Sequence, residues 1–289
     1  MKIVANPTKT LKSFVREIMP PCIMRLYRGR NECNENKNHK AYTWEGVYRS
    51  FREVPVVGSG FVEPGLVDET RASTEHILQS IPNYGGPTET LLAEFSVAPL
   101  VASVIASDRG EISILEIGGG AGMGYAAWRA CTTEQRPVDY HVVELDQLCE
   151  AGDSLFSEDD RVTFHQRLPL LETIGPVDLI QLCSVLQYVE HYQELLSSLF
   201  AYKPRFIYLS KMPLGEFSTF VSSQKNMPGT TVPVWFINRQ ELVSIFDDNG
   251  YDLAFHGFHD RVYDTANLPA DKRFTKYTHL LFAAQELND

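Results

Sequence analysis

The stretch Ile114-Leu115-Glu116-Ile117-Gly118-Gly119-Gly120-Ala121-Gly122-Met123-Gly124 constrains this chain more than any other. The β-branched run Ile112 to Ile117 reads as a short buried strand, and a helix follows from about Gly122 to Cys131. Between them, Gly118, Gly120 and Gly122 permit backbone conformations that other residues resist, and they let a ligand approach the main chain. The first turn of the helix presents free N–H groups. A strand, a glycine turn and a helix in that order suit a nucleotide-like ligand.

Spacing narrows the ligand. A dinucleotide fingerprint requires G-x-G-x-x-G, and counting from Gly118 and Gly120 the third position is Met123. The chain instead reads E-x-G-x-G-x-G, with Glu116 two residues before Gly118 and Gly119 inside the turn. An acidic side chain there repels a pyrophosphate and can accept hydrogen bonds from an ammonium or hydroxyl group. The expected ligand therefore joins an adenosine-like part to a positively charged part. A second strand, Asp139 to Glu144, ends in a carboxylate placed to take both ribose hydroxyls. Asp146 is the alternative for that role.

The rest of the chain supplies the frame. Further strands are expected at Val162–His165, Val177–Cys183, Phe206–Leu209, Tyr251–Phe258 and Tyr277–Ala284, with helices at Glu190–Phe200 and Arg239–Asn249. Strands separated by helices imply βαβ crossovers and a doubly wound, mostly parallel, seven-stranded α/β sheet of Rossmann-like type. The last two strands lack a helix between them and are expected to pair antiparallel. Residues 1–106 read as a helical and irregular N-terminal cap, with helices at Glu69–Ile81 and Thr88–Ser107. Residues 107–289 read as the ligand-binding domain, with a cap-like insertion at 211–238.

Charge and cysteine usage exclude several function classes. Residues 1–30 hold seven Lys and Arg against Glu17 alone, a local charge of +6, so the remaining chain carries −17 of the net −11. An acidic body disfavours nucleic acid as a partner. The basic start, with Leu11, Phe14, Val15 and Ile18 at helical spacing, either docks on its own domain or touches an anionic membrane surface. Five cysteines without a C-x-x-C pair argue against a disulfide framework or zinc knuckle. With no apolar stretch of membrane-spanning length and no signal peptide, a cytoplasmic setting is expected, peripheral at the inner face of the membrane if the basic start docks there.

These residues carry a resemblance. Residues 112–284 resemble class I S-adenosylmethionine-dependent methyltransferases, through Glu116 to Gly122 and the acidic strand end at Glu144. More narrowly, Trp44-Glu45-Gly46-Val47-Tyr48, Ser184-Val185-Leu186-Gln187-Tyr188, Pro213 to Gln224, Phe236-Ile237-Asn238-Arg239 and His279-Leu280-Leu281-Phe282 are similar to a family of uncharacterised methyltransferases from bacterial surface-polysaccharide and lipopolysaccharide gene clusters. The resemblance implies S-adenosylmethionine as cofactor, S-adenosylhomocysteine as product, and a sugar, nucleotide-sugar or lipid-linked glycan hydroxyl as acceptor. It departs at the third strand, where Phe164-His165-Gln166-Arg167 stands in place of the acidic residue that meets the adenine amine in many such enzymes. His165 or Gln166 is the candidate for that contact.

Methyl transfer to a hydroxyl needs alignment, exclusion of water and a base for the departing proton. The fourth strand should end at the site, so Cys183, Ser184, Gln187 and Tyr188 have first claim to line it. His191, His256 and His259 are candidate bases, with Tyr188 a further polar candidate. Trp44, Tyr48, Tyr84, Gln224 and Trp235 offer aromatic faces and an amide suited to a sugar ring, or else form the cap's own core. No residue spacing suggests a metal. Two other function classes stay open: a non-catalytic scaffold in a glycan-assembly complex, and a nicotinamide-dependent sugar oxidoreductase.

Overall fold

The computed structural model describes residues 42–58, 60–62, 64–84, 97–132, 137–227 and 229–285. The basic segment 1–30 and part of the helix expected at Thr88–Ser107 lie outside these residues.

Seven strands form the main sheet: β2 (Ile112–Ile117), β3 (Val138–Val143), β4 (Val162–His165), β5 (Leu179–Cys183), β6 (Phe206–Met212), β10 (Tyr251–Val262) and β11 (Lys276–Ala284). Their order is β10-β11-β6-β5-β2-β3-β4. Pairing from β6 through to β4 is parallel, and β11 lies antiparallel between β6 and β10. β2 is the middle one of the five parallel strands and is buried at nearly every position, which explains its continuous apolar run.

Helices cover both faces. On one, α1 (Pro64–Tyr84), α2 (Val97–Arg109) and α3 (Met123–Cys131) meet the sheet, with Ala102, Ile105, Tyr125, Trp128, Ile114 and Tyr140 in a shared core. The other face carries α5 (Leu171–Ile174), α6 (Tyr192–Phe200) and α7 (Arg239–Asp247), whose Ile174, Leu196, Leu199, Leu242 and Phe246 pack on Leu115, Ile180 and Leu209. Each such fully buried aliphatic side chain contributes roughly 1.5–3 kcal/mol. Between β3 and β4 runs α4 (Asp146–Leu155). The doubly wound α/β sheet is thus observed, with strands close to the expected limits.

The remaining strands differ from expectation. Within residues 211–238, expected as a cap-like insertion, β7 (Leu214–Gly215), β8 (Phe220–Met227) and β9 (Thr230–Asn238) join β1 (Trp44–Tyr48) in a small sheet of order β1-β8-β9-β7. In β1, Gly46 adopts φ +78 at a register shift between Glu45 and Tyr48, and the strand continues through it. A third core of Trp44, Phe217, Phe220, Val234, Phe236 and Phe274 lies against this sheet. The expected boundary at 106/107 falls inside α2, whose Ala102 and Ile105 belong to the main core. Among the described residues before that boundary, Trp44 packs in the third core and Ala102 and Ile105 in the main one.

Candidate functional site

In an open α/β sheet, ligands bind outside the carboxyl ends of the strands where the strand order reverses. Here β2, β3 and β4 proceed one way and β5 and β6 the other, so the switch point lies between β2 and β5. The glycine turn leaves β2 at that point, and Cys183 and Ser184 leave β5 beside it.

The turn has the backbone its glycines permit. Gly118, Gly120 and Gly122 have φ of +71, +59 and +86, and Gly122 precedes the first turn of α3. Glu144, just past β3, accepts from Gly120 N–H at 3.0 Å through Oε2 and from Leu145 N–H at 2.8 Å through Oε1. Burial pushes its carboxyl pKa up, against the two backbone donors. The strand-end acid and the glycine turn are therefore held as one unit.

Glu116 takes a different position from the one its spacing suggests. Its carboxylate turns inward and is buried, accepting from Tyr140 Oη–H at 2.9 Å, while Gln181 Nε2 donates to the same Tyr140 oxygen at 2.6 Å. A Cβ on Gly119 or Gly124 would come within 2.6 or 2.4 Å of the Glu116 oxygens. Those two glycines thus make room for a carboxylate packed beneath the turn. Burial raises the Glu116 pKa to about 7, against the bonds from Tyr140 and Gln181. A cavity of about 20 Å³ beside it is lined by Gln181, Cys183, Tyr208, Ser210 and Gly124 among others.

Two hydrophobic contacts close over the turn. A Cβ on Gly118 would meet Val185 Cγ2 at 2.2 Å, and one on Gly120 would meet Thr70 Cγ2, from α1, at 2.9 Å. Ser184 has φ +58, a left-handed conformation that costs energy for a non-glycine residue. Its hydroxyl accepts from Gln187 Nε2 at 2.9 Å, whereas Gln187 Oε1 is buried without a hydrogen-bond partner.

Three of the proposed acceptor contacts form one cluster. Trp44 Nε1 donates to Gln224 Oε1 at 3.0 Å, and Gln224 Nε2 donates to Tyr188 Oη at 3.0 Å. Trp44 is 2% exposed, with Phe236, Tyr263 and Phe274 around it, so its ring is core rather than a stacking surface. Trp235 packs between Phe51 and Tyr192 and donates to Glu190 O at 3.2 Å. Tyr48 ends β1, half-buried, with its ring under Gly46. Tyr84 is the last residue of α1, and its side chain lies outside those described.

The histidines are dispersed. His191 caps the start of α6, with its side chain 67% exposed and Nδ1 4.0 Å from Glu194. His256 and His259 lie on β10, three strands from β5 and so roughly 14 Å across the sheet. The structure brings neither near the glycine turn. His165 ends β4 next to Glu144, whose N–H donates to His165 O at 3.0 Å; Gln166 beside it is exposed.

One residue was missed. His141, buried within β3, places Nδ1 3.0 Å from His165 Nε2. The alternation of a strand puts Asp139 and His141 on one face, and two polar residues on a face expected to be buried were the available signal. Among the described residues, no group of three or more His, Cys, Asp or Glu side chains could hold a metal ion, and no helix is long and apolar enough to cross a membrane.

No protein-family model and no curated sequence matches the chain. Among solved structures it is similar to 1,6-didemethyltoxoflavin-N1-methyltransferase from Burkholderia thailandensis, bound to 1,6-didemethyltoxoflavin and S-adenosylhomocysteine. That likeness has 13% identity over 80% of this chain and 94% of the other, with a TM-score of 0.46. It is also similar to magnesium protoporphyrin IX methyltransferase from Synechocystis with bound S-adenosylmethionine, at 14% identity over 76% and 95%, TM-score 0.44. A glycopeptide N-methyltransferase complexed with S-adenosylmethionine gives 12% identity over 65% and 93%, TM-score 0.45.

Proposed function

We propose that this chain is a class I S-adenosylmethionine-dependent methyltransferase acting on a hydroxyl of a small polar acceptor. The observation that carries the reading is the pair of carboxylates against the glycine turn. Glu144 already occupies the Gly120 N–H that a phosphate would seek, and Glu116 lies directly beneath. This lining disfavours a diphosphate and suits a cationic ligand with a ribose.

The residues fit such a ligand. Gly118 and Gly120 provide the close backbone approach, and Glu144 provides the acceptor for ribose hydroxyls. Bound S-adenosylmethionine would supply a methyl group on a sulfonium, a leaving group that departs as a neutral thioether. The chain's part is then to position the acceptor, exclude water and receive one proton. Val185 and Thr70, packed on the turn, would help to keep water from a ligand bound there. The half-buried Gln224–Tyr188 pair offers amide and phenol groups toward a hydroxyl-bearing acceptor. A sugar, nucleotide-sugar or lipid-linked glycan has that chemistry, and the sequence resemblance favours it.

Isothermal titration with S-adenosylmethionine, S-adenosylhomocysteine and NAD tests the cofactor. Micromolar binding of the first two and none of NAD is expected, and Glu144→Ala should weaken it by tenfold or more. Binding of NAD alone would replace the reading with an oxidoreductase. Transfer of labelled methyl to a glycan acceptor tests the second half, and transfer only to amines would overturn it.

A further inference from the structure

We propose that His141 is a positioning residue that fixes His165 as a hydrogen-bond acceptor, so that His165 reads the exocyclic amine of the cofactor's adenine. The inference rests on the proposed function. With the ribose on Glu144 at the end of β3 and the sulfonium toward β5, the base extends to the next strand on the other side, β4, whose last residue is His165.

Three groups form a line. Asp139 Oδ2 lies 3.1 Å from His141 Nε2, at ion-pair distance but outside hydrogen-bonding alignment. His141 Nδ1 lies 3.0 Å from His165 Nε2. The Asp139 carboxylate favours a proton on the near nitrogen of His141, Nε2. In the neutral ring the far nitrogen, Nδ1, is then bare and accepts. It follows that His165 carries its proton on Nε2, donates it to His141, and leaves its own Nδ1 as an acceptor. No described group bonds that nitrogen. His141 lies opposite Thr163, two residues before His165 in its strand, so the bond runs back into the sheet and Nδ1 faces away from it.

An acceptor is what an adenine amine needs where many relatives of this kind place an acid. The arrangement depends on which nitrogen His141 leaves bare: were its Nδ1 to carry the proton, His165 would have to accept through Nε2 and carry its own proton on Nδ1, which repels the amine's hydrogens. The groups acting on the His165 ring are His141 and Asp139 from β3 and Asp153 from α4. Burial and His141 together hold the His165 pKa below its ordinary value, which keeps the ring neutral near pH 7.

The test compares S-adenosylhomocysteine with its deaminated counterpart, S-inosylhomocysteine, by calorimetric titration at pH 8. Wild type should prefer the amine-bearing ligand by about tenfold. His141→Leu should lose the preference, and His141→Asn, whose amide oxygen can replace Nδ1 as acceptor, should restore it. In parallel, histidine nitrogen chemical shifts of the wild-type protein should identify His165 as the Nε2–H tautomer at pH 8. An Nδ1–H tautomer, or an unchanged preference in His141→Leu, overturns the relay while leaving the cofactor reading intact. Failure of wild type to bind either ligand overturns both.

Discussion

Gly124 and Gly119 leave room for the Glu116 carboxylate rather than for backbone freedom alone, since a Cβ on either would strike it. Glu116 is pinned by Tyr140 and has little space to withdraw. Gly124→Ala should therefore destabilise the protein by about 1–3 kcal/mol, read from urea denaturation. Conformation at this residue costs little, because Gly124 lies within α3, so an unchanged midpoint would show that Glu116 can move aside. Trp44 illustrates the opposite case. As a sequence it offered an aromatic face for a sugar; in the fold its indole N–H is answered by Gln224 and its ring by other aromatics.

At the scale of elements, α1 and the β8–β9 hairpin frame the crevice. Thr70 of α1 rests on Gly120, so a larger side chain there should press into the ligand's path. Thr70→Trp is expected to lower S-adenosylhomocysteine affinity by at least tenfold while leaving thermal unfolding nearly unchanged, because Thr70 is only half-buried. The hairpin is tied to the site through Gln224. Gln224→Ala would leave the buried Trp44 N–H without an acceptor, at a cost of about 1–3 kcal/mol in chemical denaturation. These elements divide by how they were legible. The strand limits of β2 and β4 and the start of α3 followed from local pattern. β1 and β8 pair between residues such as Trp44 and Gln224, far apart in the chain, and no local period announces such a pairing.

At the scale of the molecule, pH links these groups to stability. Glu116 has a folded pKa near 7 against about 4.5 unfolded, so the folded state holds the proton more tightly. Its contribution is full below pH 4.5 and is lost as pH rises to about 7, by about 3 kcal/mol. Asp159 acts in the opposite sense. It accepts from Arg161 and Tyr125, its pKa is lowered to about 2, and its contribution is lost as pH falls from about 3.8 toward 2. Stability from denaturant titration should consequently peak in the acid range and decline toward pH 7. Glu116→Gln, which keeps an acceptor for Tyr140, should abolish that decline and be more stable than wild type at pH 8. A wild-type curve flat from pH 4.5 to 7 would mean that Glu116 is ionised in the folded protein.

The sequence by itself determined the alternation of strands and helices, the glycine turn and the acid at the end of β3. Each depends on residues near one another in the chain, whose hydrophobic period and backbone freedom are local properties. Only the tertiary structure decided that Glu116 turns inward, that residues 211–238 build a sheet with β1, and that His141 stands behind His165. Those outcomes depend on which distant surfaces are buried together, and on where a buried polar group can find its partner.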